Sequence, residues 1–203
     1  MSKIQGLYTI ADNSFSPQWS CFQLAEQFLE GGARIVQLRM KQNREGMLEV
    51  AQKIAALKKQ FDFLLIINDW PDIALKVGAD GVHVGANDMP VREVKRMRSN
   101  LIIGYSTHDL EEAVRACEAG ADYVAFGAIF PTQTKGPDHP VQGVMRLKEL
   151  VETIAVPVVA IGGINRANID AVLATQVQSV AMITALTQSA NIVEEVKWFQ
   201  KKF

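Results

Sequence analysis

The chain has 203 residues, of which 48% are hydrophobic and 21% charged, an ordinary composition for one globular domain. Its 21 Lys and Arg against 22 Asp and Glu leave a net charge of −1, which excludes broad attraction to nucleic acid or a membrane surface, so any anion site must be local. Cys21 and Cys117 lack metal spacing and a Cys-x-x-Cys pair, residues 1–8 are too short in apolar run for a secretory signal, and no run suits a membrane span; two reduced, buried thiols in a cytoplasmic protein are expected.

Apolar, β-branched runs predict strands over residues 4–10, 34–38, 63–68, 81–84, 101–105, 123–127, 156–161 and 179–183. Amphipathic stretches predict helices over 17–30, 44–60, 71–77, 91–97, 110–119, 141–153 and 166–175, and a last helix over 192–202. Three entries into strands, Gly31-Gly32-Ala33, Val77-Gly78-Ala79 and Ala119-Gly120-Ala121, repeat one pattern: a glycine ends the helix in the left-handed region and a small residue makes the turn. A fourth echo, Ala174-Thr175-Gln176, lacks the glycine, so a different or strained turn is expected there. Strict β–α alternation predicts a parallel sheet, and no Gly-x-Gly-x-x-Gly turn follows the first strand. The reading is an α/β chain forming a single-domain (β/α)8 TIM barrel over residues 1–203, with its chemistry in the βα loops.

Those loops are rich in ligand-binding side chains. Beyond the second strand, Gln37, Arg39 and Lys41 alternate and therefore point together, two cations and an amide suited to an anionic ligand with a polar ring. Asp69 follows the third strand and Asp88 the fourth. Carboxylates on neighbouring loops beside a cationic cluster suit Mg2+, which takes one or two carboxylates plus substrate phosphates and water. The competing reading makes each aspartate a helix N-cap, Asp88 above all, with Met89-Pro90 behind it. Ser106, Thr107 and His108 stand at the entrance of the next helix, where either hydroxyl could be a cap. His83 is expected to pack or hydrogen-bond within the barrel, and His139, in a Pro-bounded loop, to be solvated. After the sixth strand, Phe130-Pro131-Thr132-Gln133-Thr134-Lys135-Gly136 brings two hydroxyls and a lysine, groups that suit phosphate oxygens. Gly162-Gly163 after the seventh strand and Ile183-Thr184 after the eighth leave backbone N–H groups open at the usual phosphate site of such barrels.

In this order and spacing, Gln37-Leu38-Arg39-x-Lys41, Ile67-Asn68-Asp69, His83-Val84-Gly85-x-x-Asp88, Gly104-x-Ser106-Thr107-His108, Phe130-Pro131-Thr132-x-Thr134-Lys135 and Ala160-Ile161-Gly162-Gly163-Ile164 resemble the thiamine-phosphate synthase family. The resemblance covers nearly the whole chain. It implies a Mg2+-dependent transferase that joins 4-amino-2-methyl-5-pyrimidinylmethyl diphosphate to a thiazole phosphate and releases diphosphate. It further implies that Gln37, Arg39, Lys41 and Asn68 hold the pyrimidine diphosphate, that Ser106 contacts the pyrimidine and Lys135 the diphosphate, and that Asp69 and Asp88 bind Mg2+. Thr132, Thr134, Gly163, Ile183 and Thr184 would hold the thiazole phosphate. The groups serving the chemical step would be Arg39, Lys41, Lys135 and Ser106, with no protein nucleophile required.

The chain departs from the family pattern at Trp70, where arginine is usual, at Ala86 and Asn87, which replace a glutamine and a glutamate, and at the entry to the eighth strand, which lacks Ala-Gly-Ala-Asp. A thiazole tautomerase of the same family would use a histidine where this chain has His108, but has little need of Lys41, Asp69, Asp88 and Lys135 together. Trp70 keeps open a non-catalytic barrel that binds a thiamine-pathway ligand. An unrelated phosphosugar isomerase would need a placed base and no metal aspartates. Expected partners are the small-molecule substrates, with no nucleic acid or membrane, and the outer helices leave a homodimer open.

Overall fold

The computed structural model describes residues 4–41, 43–98, 100–132, 134 and 140–203. Eight strands pair in chain order: β1 (Gly6–Ala11), β2 (Ile35–Leu38), β3 (Leu64–Asn68), β4 (Gly81–Val84), β5 (Ile102–Thr107), β6 (Tyr123–Phe126), β7 (Val158–Ile161) and β8 (Ser179–Met182). All pairs are parallel, and β8 meets β1 to close the expected (β/α)8 barrel. The register sets Tyr8 beside Ile35, Gln37 beside Ile66 and Asn68 beside His83. Helices α1 (Cys21–Glu30), α2 (Arg44–Ala56), α3 (Pro71–Val77), α4 (Val91–Met97), α5 (Leu110–Ala119), α6 (Gly143–Thr153) and α7 (Ile169–Leu173) follow the first seven strands. After β8 come α8 (Thr184–Thr187) and α9 (Ile192–Gln200).

Each strand sends alternate residues to opposite faces. Val36, Leu65, Ile67, Val82, Val124 and Met182 join Phe28, Met47 and Phe199 in an apolar shell between the strands and the helices. Their neighbours Tyr8, Ile35, Ile66, Tyr123, Val159 and Ala181 form a second, separate cluster inside the barrel. Two phenols in an apolar interior each cost about 1–3 kcal/mol unless their hydroxyls are bonded. Here they are bonded, Tyr8 Oη lying 2.8 Å from Tyr123 Oη.

Local chemistry explains where helices differ from the sequence reading. The first helix starts at Cys21 because Ser20 caps it: the Ser20 side chain accepts from the Gln23 N–H, and the Gln23 side chain accepts from the Ser20 N–H. The seventh shrinks to Ile169–Leu173 because Asn168 accepts from the Asn165 N–H and Asn165 from the Ala167 N–H, folding that stretch into side-chain-closed turns. Helix α8, four residues long, is too short to register as a periodic pattern. Gly78 and Gly120 take the expected left-handed φ of 67° and 98°. At the echo without glycine, Gln176 takes φ 61°, the strained turn anticipated there. Cys21 and Cys117 are free thiols, the first buried and the second only half-buried. Among the described residues no helix is long and apolar enough to cross a membrane.

Candidate active site

The C-terminal ends of the strands open into one cavity of about 330 Å³. Gln37, Arg39, Lys41, Asn68, Asp69, Asp88, Ser106, Thr132, Thr134, Gly163, Ile183 and Thr184 all line it. Lys135 and His139 lie outside the described residues.

One wall is cationic. Gln37 is buried and its Nε2 donates to Tyr8 Oη at 2.9 Å. Arg39, just past β2, pairs with Asp12, a carboxylate buried just past β1. Asp12 went unnoticed in the sequence, where a lone aspartate after a strand reads as a turn residue; its one signal was its place at a βα end. A buried charge is stable only when paired, so Asp12 and Arg39 fix each other beside the cavity. Lys41 Nζ lies 3.8 Å from Asp69 Oδ2.

The cap reading fails for both candidate metal aspartates. The N-cap positions of α3 and α4 are Trp70 and Pro90, and neither helix has a side-chain cap. Asp88 Oδ2 instead accepts from the Gly85 N–H at 2.7 Å and braces its own loop. Asp69 takes φ 65°, uncommon for a residue with a side chain, while its N–H donates to His83 O at 2.8 Å. Burial pushes the Asp69 carboxyl up to about 6; Lys41 opposes the rise and the Asp88 charge adds to it. Two carboxylates held this close suit a cation. Among the described residues there is no group of three or more His, Cys, Asp or Glu that could hold a metal. A hard cation here would therefore take its remaining oxygens from a ligand and water, as Mg2+ does at phosphate sites. Beside them, Asn68 Nδ2 is buried with no hydrogen-bond partner among the described residues. A donor left in that state costs about 1–3 kcal/mol and is open to a ligand acceptor.

Among the described residues the opposite wall is neutral. Thr132 Oγ1 donates to Thr134 Oγ1 at 3.2 Å and accepts from the Thr134 N–H at 3.3 Å. Gly163 sits at φ 68°, and a Cβ there would lie 2.5 Å from Pro131 O. Only glycine lets the loops after β6 and β7 touch in this way. Ile183 and Thr184 complete this wall at the start of α8.

The histidines separate as expected for His83. Its Nδ1 lies 3.0 Å from Tyr123 Oη and its Nε2 2.9 Å from Ser106 Oγ. His108 Nδ1 lies 3.1 Å from Glu112 Oε2, which also accepts the His108 N–H at 2.7 Å. The cap of α5 is Asp109, accepting from the Glu112 N–H, and Thr107 Oγ1 donates to Ala125 O. The capping alternative for Ser106 and Thr107 is thereby removed.

Residues 7–186 match the thiamine monophosphate synthase family. The chain belongs to this family. The thiamine-phosphate synthase of Pyrococcus abyssi is 40% identical to it over 196 residues, 96% of this chain and 93% of that one. That of Methanococcus maripaludis is 40% identical over 191 residues, 94% of this chain and 90% of its own. The solved thiamine phosphate pyrophosphorylase from Pyrococcus furiosus superposes with a TM-score of 0.89 at 37% identity, covering 98% of this chain and 95% of that one. A 3-hexulose-6-phosphate synthase, with a TM-score of 0.74 at 19% identity, shares the fold alone. In this member of the thiamine monophosphate synthase family, the unusual Trp70 packs against the outer apolar shell and is absent from the cavity lining. The Arg44 guanidinium lies 4.8 Å from the centre of its ring. Ala86 and Asn87, two further departures, do line the cavity.

Proposed function

We propose that this chain is a thiamine-phosphate synthase that joins 4-amino-2-methyl-5-pyrimidinylmethyl diphosphate to a thiazole phosphate and releases diphosphate, with Mg2+. One observation supports the reading: a single cavity has Arg39, Lys41, Asp69 and Asp88 on one side and the Thr132–Thr134 hydroxyls on another, an arrangement that would give two phosphorylated substrates separate places. A tautomerase would have one substrate and no departing diphosphate, leaving the first group without a task.

In the reaction the C–O bond between the methylene and the diphosphate breaks, and its electron pair leaves with the diphosphate. The ring amino group stabilises the positive methylene, and the thiazole nitrogen lone pair forms the new C–N bond. Arg39, held by Asp12, and Lys41 meet the charge growing on the leaving group. Lys135 serves the same group in this reading. Asn68 offers its unpaired N–H to a diphosphate oxygen. Asp69 and Asp88 would hold Mg2+, which when bound neutralises part of the diphosphate charge. Gln37 and Ser106 face the pyrimidine, and Thr132, Thr134, Gly163, Ile183 and Thr184 take the thiazole phosphate. The protein's contribution is to hold two reactants in line and to accommodate the departing charge. The two free thiols agree with work in the cytoplasm.

The test is direct. The purified protein is incubated with both substrates, with and without Mg2+, and thiamine phosphate and diphosphate are measured. Both products are expected in equal amounts, and only with the metal. No product with both substrates and Mg2+ would overturn the function; full turnover in chelator would overturn the metal assignment alone.

A further inference from the structure

A line of hydrogen bonds crosses the barrel along the floor of the cavity, which all its members line, and joins two of its walls. It runs from Gln37 Nε2 to Tyr8 Oη (2.9 Å), on to Tyr123 Oη (2.8 Å), to His83 Nδ1 (3.0 Å) and from His83 Nε2 to Ser106 Oγ (2.9 Å). The members come from β2, β1, β6, β4 and β5, so five strands meet in it. It has a cost elsewhere in the fold. Gly104 on β5 stands against its middle, and a Cβ there would fall 2.0 Å from the Tyr123 ring and 2.5 Å from His83 Nδ1. A side chain at that position and this junction cannot coexist.

The line has a direction. Burial pushes the hydroxyls of Tyr8 and Tyr123 well above the ordinary tyrosine range, so each is a neutral phenol with one proton to give. Tyr8 Oη receives the Gln37 N–H, and the arrangement in which every proton of the line meets an acceptor has Tyr8 donating to Tyr123. Tyr123 then gives its proton to His83 Nδ1. With Nδ1 accepting, a neutral imidazole carries its hydrogen on Nε2 and donates to Ser106 Oγ. The Ser106 proton is left to point into the cavity. Turning the Gln37 amide over would reverse every bond and make Ser106 an acceptor toward the cavity. Gln37 and Ser106 are thus coupled: when one offers an acceptor to the ligand, the other offers a donor.

We propose that Tyr8, Tyr123 and His83 are positioning residues that lock Ser106 and Gln37 into opposite hydrogen-bonding roles and so select an aminopyrimidine, a ring that places donors and acceptors side by side. The proposal rests on the reading that the pyrimidine lies between Gln37 and Ser106. None of the three residues needs to touch a reacting atom. They act by tying the direction of the Ser106 hydroxyl to that of the Gln37 amide before the substrate arrives.

The experiment is a double-mutant cycle with Tyr123→Phe and Ser106→Ala, reading kcat, KM for each substrate, the dissociation constant of the pyrimidine diphosphate and Tm. Phenylalanine keeps the ring packing and removes the hydroxyl that links Tyr8 to His83. In the parent protein, Tyr123→Phe should lower kcat/KM for the pyrimidine substrate about ten-fold, the effect of one hydrogen bond, with KM for the thiazole phosphate unchanged. In the Ser106→Ala background the same change should cost less than about two-fold, since the group it acts through is gone. Its effect on Tm should be equal in both backgrounds. Tyr8→Phe, one step further from Ser106, should give the same pattern with a smaller loss, and serves if Tyr123→Phe fails to fold. Equal kinetic losses in both backgrounds, or none in either, would overturn the relay. A parent protein that makes no thiamine phosphate would overturn the underlying placement of the pyrimidine instead.

Discussion

Asp69→Asn should stabilise the metal-free protein near neutral pH while abolishing Mg2+-dependent turnover. The Asp69 carboxyl moves from an ordinary 3.8 to about 6 on folding, chiefly because it is buried, with Asp88 adding to the rise against Lys41. In the unfolded chain it ionises near its ordinary value; in the folded protein it holds its proton about two pH units longer. Between these two values the folded state binds a proton that the unfolded state has lost. Stability therefore falls as pH rises from about 4 to about 6 and stays low above that. At roughly 1.4 kcal/mol per pH unit the full difference is about 3 kcal/mol. The side chain is 14% exposed, and screening trims the effect to about 2 kcal/mol. Asparagine mimics the protonated acid and tolerates the left-handed φ, so the variant escapes the fall. For a chain of this size that is a Tm rise of roughly 4–8 °C at about pH 7.5, shrinking to nothing near pH 4. Calorimetry of both proteins at the two pH values, without metal, measures it. A Tm change of the same size at both pH values, or a loss at neutral pH, would refute the argument; a destabilised variant would restore a structural role for the carboxylate.

Three further outcomes follow from neighbouring residues. Asp12→Asn should leave Arg39 without its buried counter-charge, lowering Tm by the equivalent of about 2–4 kcal/mol and raising KM for the pyrimidine diphosphate; unchanged kinetics would mean Arg39 needs no such partner. Thr134→Val should weaken thiazole phosphate binding by about 1–3 kcal/mol while sparing the pyrimidine substrate, as separate titrations would show; equal weakening would assign the hydroxyl to the Thr132–Thr134 loop contact. Trp70→Arg sets a second guanidinium beside Arg44 and removes packed indole, so Tm should fall by the equivalent of about 2–4 kcal/mol with KM for both substrates unchanged. A stable variant with an altered KM would place Trp70 on the ligand side.

The barrel was legible in the sequence because its strands are short β-branched runs that recur between amphipathic helices, a pattern local enough to read without contacts. The cavity walls were legible for a related reason: the alternation of Gln37, Arg39 and Lys41 fixes a shared direction, and all three do line the cavity. What stayed hidden depends on partners remote along the chain. Tyr8 and Tyr123 lie in two separate predicted strands, and their bond spans 115 positions. Asp12 reads as a turn residue until Arg39 is seen against it. Asp69 and Asp88 could be told from helix caps only once Trp70 and Pro90 were found at the cap positions. Helix α8 has too few residues to carry a period.

Gln37 faces the cavity from between Val36 and Leu38, both packed against the helices. The same two-residue rhythm places Asn68 after Ile67 and His83 between Val82 and Val84. One inserted or deleted residue within β2 would carry a valine or leucine into the cavity and push the amide into oil. The strands of this barrel can therefore change by substitution and scarcely by length. Differences in chain length between related proteins should collect in the outer helices and in the turns at the end of the barrel away from the cavity, where an added residue shifts no side chain from one face to the other.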